Sequence, residues 1–523
     1  MPPPRRTQLC GDPAGLYLHQ AVLEACRRFS QKTAIVDSSN GRRITYAEYG
    51  DTVERLARGL VAAGVRPGET LAIYLPNSWE FCAIYHAATL AGAIPTPLNP
   101  SYREREVRYQ LENSGAVMLV TDGPLVGEMN LGGLPNLRRV YATRVPGGAA
   151  SESFGNLLVP AQAAIPSLAE VPERQLAVLP YSSGTTGLPK GVMLTHYNLV
   201  VNVLQLLAAG DLSGDETVLC FLPLYHIYGL NVVLNPALMS GSTIVLMPRF
   251  DVDSLLQLIP GEGITWIPCV PPVLNAICHA AEEGRFPREH RLKWVKSGAA
   301  PLAVELVHRF TRLTGLRVRH AYGMTEASPV THCNYVEDPW YRPAAIGTPV
   351  ALTDCRIVGE QDQDLAVGEV GELLIRGPQI MLGYWKAPEA SAAALRDGWY
   401  WSGDVARMDE DGYFYIVDRR KEMIKYKGFA VAPAEVESVL LEHPLVRDCG
   451  VVGRADEEAG EVPCAFVVLR DGNPGSDKKA EELRGYVAER LTNYKQPRDV
   501  RFVSTIPRNP SGKILRRELR KLL

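Results

Sequence analysis

The sequence is most informative first in what it lacks. Its ten cysteines are scattered, with no C-x-x-C pair. That argues against a zinc site or a disulfide framework and predicts a reducing, cytoplasmic setting. No apolar run reaches the roughly 18 residues that mark a membrane-crossing helix. The opening MPPPRRTQLCGDP has no apolar core of the secretory kind, and the closing RKLL is not an S-K-L type address. Neither sign of charge dominates, the net value being −3. The expectation is therefore no nucleic-acid partner and no stable membrane insertion. Internal repeats and long low-complexity tracts are also missing.

What remains is a chain of 523 residues with ordinary globular composition, too long for one compact core. Short apolar runs alternate with amphipathic stretches. Ala34–Val36, Arg43–Thr45, Thr70–Leu75 and Ala116–Thr121 read as strands. Thr45 with Glu48 has the spacing of a capping box, Gly64 stops the helix that follows, and Asn77 or Ser78 caps the next. Such alternation predicts a wound, mostly parallel α/β sheet. Residues 147–173 read as an irregular connection, and Trp266–Val270 as a strand that meets a break at Pro271-Pro272. Past Tyr335 the β-type runs Gly371–Gly377 and Gly412–Asp418 suggest a distorted barrel. From Arg419 a small α+β pattern begins. The expected fold is a large N-terminal domain of wound α/β subdomains plus a distorted β-barrel, residues 1–418, with a small mobile α+β domain, residues 419–523.

Six clusters can carry chemistry. LPYSSGTTGLPKGVMLTH, Leu179–His196, holds three glycines and four hydroxyl residues in a run of five. Gly184 and Gly187 permit close approach of a ligand to backbone amides. Ser182, Ser183, Thr185 and Thr186 add hydroxyl donors and Lys190 a mobile cation, a phosphate-binding combination without Walker spacing. His226 lies among aromatics in LPLYHIYG. Glu326, in YGMTE, offers an oxygen ligand to a hard cation such as Mg2+. Asp404, behind a Ser-Gly turn, suits the two hydroxyls of a ribose. The basic stretch from Asp418 to Gly428 is interrupted by Met423-Ile424 and reads as a strand with lysines on one face. Asn509-Pro-Ser-Gly-Lys513 is a tight turn presenting Lys513, followed by a short basic amphipathic helix over 514–523.

Taken together and in this order, YSSGTTGLPKGV, YGMTE, WYWSGD, DRRKEMIKYKGF and PSGK resemble the motifs of the adenylate-forming superfamily over nearly the whole chain. LPLYHIYGLN, VKSGAAPL, YGMTEASPV and IKYKGFAVAPAEVE look closest to 4-coumarate–CoA ligases and their bacterial relatives. The resemblance implies an ATP-dependent carboxylic acid–CoA ligase acting through an acyl-adenylate, on an aryl or phenylpropenoic acid such as 4-coumarate. A medium- or long-chain fatty acid, or delivery of acyl-AMP to a carrier protein, is the alternative. ATP, Mg2+ and coenzyme A are the implied cofactor and co-substrates, with no macromolecular partner beyond a monomer or homodimer.

By the same resemblance, Ser182–Thr186 and Lys190 grip the departing phosphates and Glu326 binds Mg2+. Thr325 meets the α-phosphate, Asp404 and Arg419 the ribose, and His320 and Ala321 the adenine side. Lys513 bridges carboxylate and α-phosphate in the first step, and Lys421 is the pivot about which the small domain turns for the second. His226 stands near the acyl tunnel. Tyr228, Asn231, Val232, Gly298, Ala321, Val330 and Lys425 belong to the acyl side, and Arg249, Lys427 and Gly428 to coenzyme A. The chain departs from plant coumarate ligases at His320-Ala321, where they read Gln-Gly. It also departs at Val232 for a serine, Ser328 for a glycine and Ala430 for a glutamine.

Overall fold

The structure, a computed structural model, describes residues 8–127, 129–144, 151–158, 162–182, 188–210, 212–334, 341–427, 429–456, 459–470, 475–509 and 512–523. Two wound sheets form its base. In the five-stranded one, Ile94–Pro97, Thr70–Tyr74, Met118–Thr121, Arg139–Ala142 and Glu152–Ser153 lie side by side, all parallel. The nine-stranded one has a parallel centre of Val318–Gly323, Trp294–Ser297, Trp266–Cys269, Thr217–Cys220, Thr243–Leu246 and Thr33–Asp37. Antiparallel strands close its two edges. Near-continuous burial along these strands is what parallel sheets covered on both faces require.

The helices between them form where their caps predict. Thr45 Oγ1 accepts from the Glu48 amide at 3.2 Å, and Glu48 accepts from the Thr45 amide at 2.7 Å, so Tyr46–Ala62 starts with a closed capping box. Ser78 caps Trp79–Leu90. Asn77 does something else: buried, it donates to the Leu222 carbonyl (2.9 Å) and accepts from the Leu224 amide (2.8 Å), tying down the segment that leads to His226. Pro271-Pro272 follows the end of the strand Trp266–Cys269, as expected, and does more than break it. It opens the helix Pro271–Glu282, because the first turn of a helix needs no donor from proline. The connection expected over 147–173 contains, among its described residues, the strand Glu152–Ser153 and a 3-10 turn, Phe154–Leu158.

Past these sheets the chain builds an antiparallel half-barrel from Asp354–Val358, Gly371–Arg376, Leu395–Arg396, Trp399–Met408 and Phe414–Arg419. The last of these strands ends at Arg419. The next, Ile424–Tyr426, belongs to a separate sheet with Phe429–Val431, Gly460–Leu469, Val446–Asp456 and Asp499–Phe502. That sheet has its own core, from Ile424 through Val436, Val451 and Val467 to Leu483. Mixed α/β architecture with several sheets and a half-barrel is thus present as expected. Among the described residues no helix is long and apolar enough to cross a membrane.

The small sheet is closed by a buried ion pair. Arg516, on the short helix Arg516–Arg520, contacts both carboxylate oxygens of Glu437, and its guanidinium also donates to the Val451 carbonyl at 2.7 Å. Glu437 in turn accepts from the Val451 amide at 2.7 Å. Removing one partner of a buried pair leaves an uncompensated charge, which costs about 3–5 kcal/mol. Arg516→Met should lower the opening free energy of amides in residues 419–523 by that amount, measured by native-state hydrogen exchange. A loss under about 1 kcal/mol would mean the pair is effectively solvated.

Candidate active site

The phosphate-loop motif forms a hairpin. Tyr181–Ser182 pairs antiparallel with Lys190–Thr195, in a register that sets Ser182 opposite Lys190. The hairpin is anchored by Tyr181, whose hydroxyl donates to Asn113 (2.6 Å), and by Tyr109, whose hydroxyl donates to the Pro189 carbonyl (2.9 Å). Ser183, Gly184, Thr185 and Thr186 lie outside the described residues. The ammonium of Lys190 sits 5.4 Å from the centre of the Tyr384 ring. Tyr384 comes from Gly383–Tyr384, which pairs with the other side of the Lys190 strand. Its hydroxyl donates to Glu326 at 2.9 Å, while Ser182 reaches the same carboxylate oxygen at 3.4 Å. Tyr384 thus joins the hairpin to the YGMTE turn, a role with no signal in the sequence beyond a tyrosine in a short apolar run.

Strand Val318–Gly323 runs directly into that turn. Gly323 packs so closely that a Cβ there would lie 2.0 Å from the Pro329 carbonyl oxygen, so the site demands glycine. Pro329 also accepts from the Met324 amide at 3.0 Å, closing a loop around the 3-10 turn Thr325–Ala327. Within it Glu326 is buried and Thr325 half-buried. Next along the strand, the Tyr322 hydroxyl donates to Asp404 Oδ2 at 2.5 Å. Arg419 Nε lies 3.0 Å from Asp404 Oδ1, since strands Trp399–Met408 and Phe414–Arg419 place residues 404 and 419 directly opposite. Burial, then the Asp404 charge, pushes the Tyr322 phenol upward, so it stays a donor.

Lys513 arrives from the small domain. Asn509 shapes its turn by accepting from the Lys513 amide (2.8 Å) through its side chain and from Gly512 (2.8 Å) through its carbonyl. Arg508 holds the Gly512 carbonyl at 2.8 Å while pairing with Asp448 at 2.7 Å. Gly512, at φ +81°, rests against Val270 and Pro272 of the large domain. Burial is the main force on the Lys513 ammonium and pushes its pKa down to about 8; Arg419 acts in the same sense, against Asp404 and Glu422. Pro510 and Ser511 lie outside the described residues.

Beside this turn is a small cavity lined by Leu222, Pro223, His226, Tyr228, Gly229 and Val270. Burial holds the His226 pKa down at about 4, so the ring is neutral, and its Nδ1 accepts from the Tyr228 amide at 3.2 Å. The Tyr228 hydroxyl donates to the carbonyls of Lys296 (3.0 Å) and Cys269 (3.4 Å), which pins the ring. Opposite, a Cβ on Gly298 would sit 3.2 Å from the Ala321 carbonyl and 3.3 Å from the Tyr228 ring. Ala321, Val232 and Val330 are buried nearby in sequence-adjacent elements. His320 is buried, neutral with a pKa pushed to about 4, and its Nδ1 lacks a hydrogen-bond partner among the described residues.

The remaining candidate residues lie apart from this cavity. Asn231 is wholly buried and its amide donates to the Ser328 carbonyl at 2.6 Å, so it supports the turn that follows Glu326. Lys425 is exposed on the hairpin of Ile424–Tyr426 and Phe429–Val431 and does not line that cavity, beside which the Lys513 turn lies instead. Arg249, Lys421 and Lys427 are likewise exposed, Lys427 at φ +46°; Gly428 lies outside the described residues.

The hairpin, the Glu326 turn, the Asp404–Arg419 pair and Lys513 carry the motifs of adenylate-forming enzymes, and the family matches agree. The chain belongs to the AMP-binding enzyme family: residues 22–385 match that family and 435–513 its C-terminal domain. It is 39% identical to 4-coumarate–CoA ligase 1 of Solanum tuberosum over 98% of this chain and 94% of the relative. Identity to 4-coumarate–CoA ligase 5 of Oryza sativa subsp. japonica is also 39%, over 98% and 95%. Among solved structures it is similar to an anthranilate CoA ligase in complex with anthranoyl-AMP (TM-score 0.90, 26% identity, 98% of each chain). It is also similar to o-succinylbenzoate CoA synthetase from Bacillus subtilis with its acyl-adenylate (TM-score 0.81, 31% identity, 95% of this chain and 97% of that one).

The depressed pKa of Lys513 has a kinetic sign. Below about 8 the lysine is a cation and attracts the triphosphate; above it the cation is lost. The value of kcat/KM for ATP in pyrophosphate release, which reports the free enzyme, should therefore fall as pH rises through about 8. Lys513→Arg, charged at every accessible pH, should abolish that alkaline limb. An unchanged limb would assign the titration to another group.

Proposed function

We propose that this protein is an ATP-dependent carboxylic acid–CoA ligase acting through an acyl-adenylate, on an aryl acid of the phenylpropenoic kind such as 4-coumarate. The observation that carries the reading is the placement of Lys513 beside the Asp404–Arg419 pair and the Val270 edge of the acyl cavity. A cation there lies between the sites for the two anions that must react. In the first step a carboxylate oxygen of the acid attacks the α-phosphorus and the bond to pyrophosphate breaks. Lys513 offsets the repulsion between carboxylate and phosphate, and Thr325 orients the α-phosphate. The Ser182–Lys190 hairpin receives the charge that leaves with pyrophosphate. No covalent enzyme intermediate is required; positioning and charge do the chemistry.

The donor set fits Mg2+. Glu326 is a lone carboxylate beside two hydroxyls, and no group of three or more His, Cys, Asp or Glu ligands occurs among the described residues. That suits a hard ion that takes most of its oxygens from the triphosphate and water. When bound, Mg2+ neutralises charge on the phosphates. In the second step the coenzyme A thiolate attacks the acyl carbonyl and AMP departs. The proposal divides the chain at Asp418/Arg419, with Lys421 as pivot. The hairpin carrying the exposed Lys425 and Lys427 replaces the Lys513 turn, and Lys427, Gly428 and Arg249 meet coenzyme A. A cytoplasmic location accords with the chemistry of its substrates.

The pinned Tyr228 ring favours the aryl reading over a flexible alkyl chain. With its hydroxyl held at two carbonyls and its ring packed against Gly298, Tyr228 gives the cavity one wall of fixed position. Hydroxycinnamates and benzoates should outperform C2 to C16 acids in a thioester-formation panel; preference for an alkyl acid would overturn the assignment. Ala321→Gly should extend acceptance to bulkier aryl acids. Lys513→Ala should cut adenylate formation by roughly 100-fold or more yet leave thioester formation from supplied acyl-AMP within a few-fold. Equal loss in both half-reactions would end the two-state reading.

A further inference from the structure

Behind the Thr325–Glu326 turn runs a line of wholly buried polar side chains that none of the steps above employs. The Tyr49 hydroxyl lies 2.7 Å from His86 Nδ1, and His86 Nε2 lies 3.0 Å from Asn235 Oδ1. Asn235 donates to Asn231 Oδ1 at 2.7 Å, and Asn231 donates to the Ser328 carbonyl at 2.6 Å. The polarity is consistent from end to end. With a hydroxyl donating to Nδ1 and the ring donating from Nε2, the neutral His86 has one tautomer, and each group passes a donor to the next. Burial keeps His86 neutral, with a pKa pushed down to about 4. A second amide works from another helix, His196–Ala208. Asn202 accepts from the Val330 amide at 3.1 Å and donates to the Val330 carbonyl at 2.8 Å.

These two asparagines therefore hold residues 328 and 330, one on each side of Pro329, whose carbonyl accepts from Met324 and so closes the loop around Glu326. Ser328 is held at φ +69°, a left-handed conformation that costs a non-glycine residue energy. Adhesion alone does not call for such a line, since apolar side chains of similar volume can pack a core equally well. A fully satisfied polar line with a single direction fixes geometry instead. We propose that Asn202 and Asn231 are positioning residues that set the Glu326 carboxylate for the metal–ATP complex, with Asn235, His86 and Tyr49 orienting Asn231. The inference rests on the metal role given to Glu326 above.

The test uses the full chain and a non-hydrolysable ATP analogue, titrated calorimetrically with Mg2+ and with EDTA. Asn231→Leu and Asn202→Ala should weaken Mg2+-dependent binding by roughly 10- to 100-fold, as loss of a partner behind a metal ligand does. Binding in EDTA should change less than about twofold, and thioester formation from supplied acyl-AMP should persist. Should either variant fail to fold, His86→Gln, three hydrogen bonds from Ser328, gives the same readout with a smaller loss. Glu326→Gln is the control. If it loses Mg2+-dependent binding while both asparagine variants keep it, the positioning role is overturned. If Glu326→Gln itself leaves that binding intact, the metal assignment beneath it fails instead.

Discussion

Asp404 is the point on which three parts of this fold converge. Its carboxylate is nearly out of solvent, and a charge in that position is tolerable only with partners on both oxygens. Tyr322 supplies one from the end of a strand in the nine-stranded sheet, and Arg419 supplies the other from the half-barrel. Lys513, from the third unit, feels both charges. Parts of two sheets and the Lys513 turn thus meet at a single ion. Electrostatic effects are large here because the surroundings are poor in water.

Much of this was legible in the chain. Local rules were enough for Thr45 with Glu48, for Ser78, and for the buried strands, since caps and apolar periodicity act over a few residues. The motif order located Lys190, Glu326, Asp404, Arg419 and Lys513, although their sequence separations gave no clue to their proximity. The rest needed tertiary contacts. Asn77 competes with Ser78 as a cap on paper, but the carbonyls of a distant loop claim it. Pro271-Pro272 reads as punctuation until a preceding strand feeds it into a helix. Tyr384 has no local signature, and its importance comes from strand pairing that brings it under Lys190. Asn231 was visible as a candidate, but its direction was not, because the carbonyl it serves lies 97 positions away.

The cavity side of the fold differs in kind from the Glu326 side. Ser182, Lys190 and Glu326 sit on a hairpin and a turn joined through hydroxyls. Beside the cavity the Tyr228 ring packs directly against Gly298, with its hydroxyl held at the Lys296 carbonyl. A Cβ at Gly298 would press on both the Ala321 carbonyl and that ring.

The small domain's sheet also constrains timing. The lysine turn is tied through Arg508 and Asp448 to the same sheet that carries the Lys425–Lys427 hairpin. A rigid body cannot bring both ends to one place at once. While the turn occupies the site the hairpin stands in solvent with Phe429 uncovered, so under the proposed reaction the thiol gains no purchase until the turn withdraws. Under that reaction the sheet is a mechanical interlock: the exchange that admits the acceptor also removes the group that made the mixed anhydride.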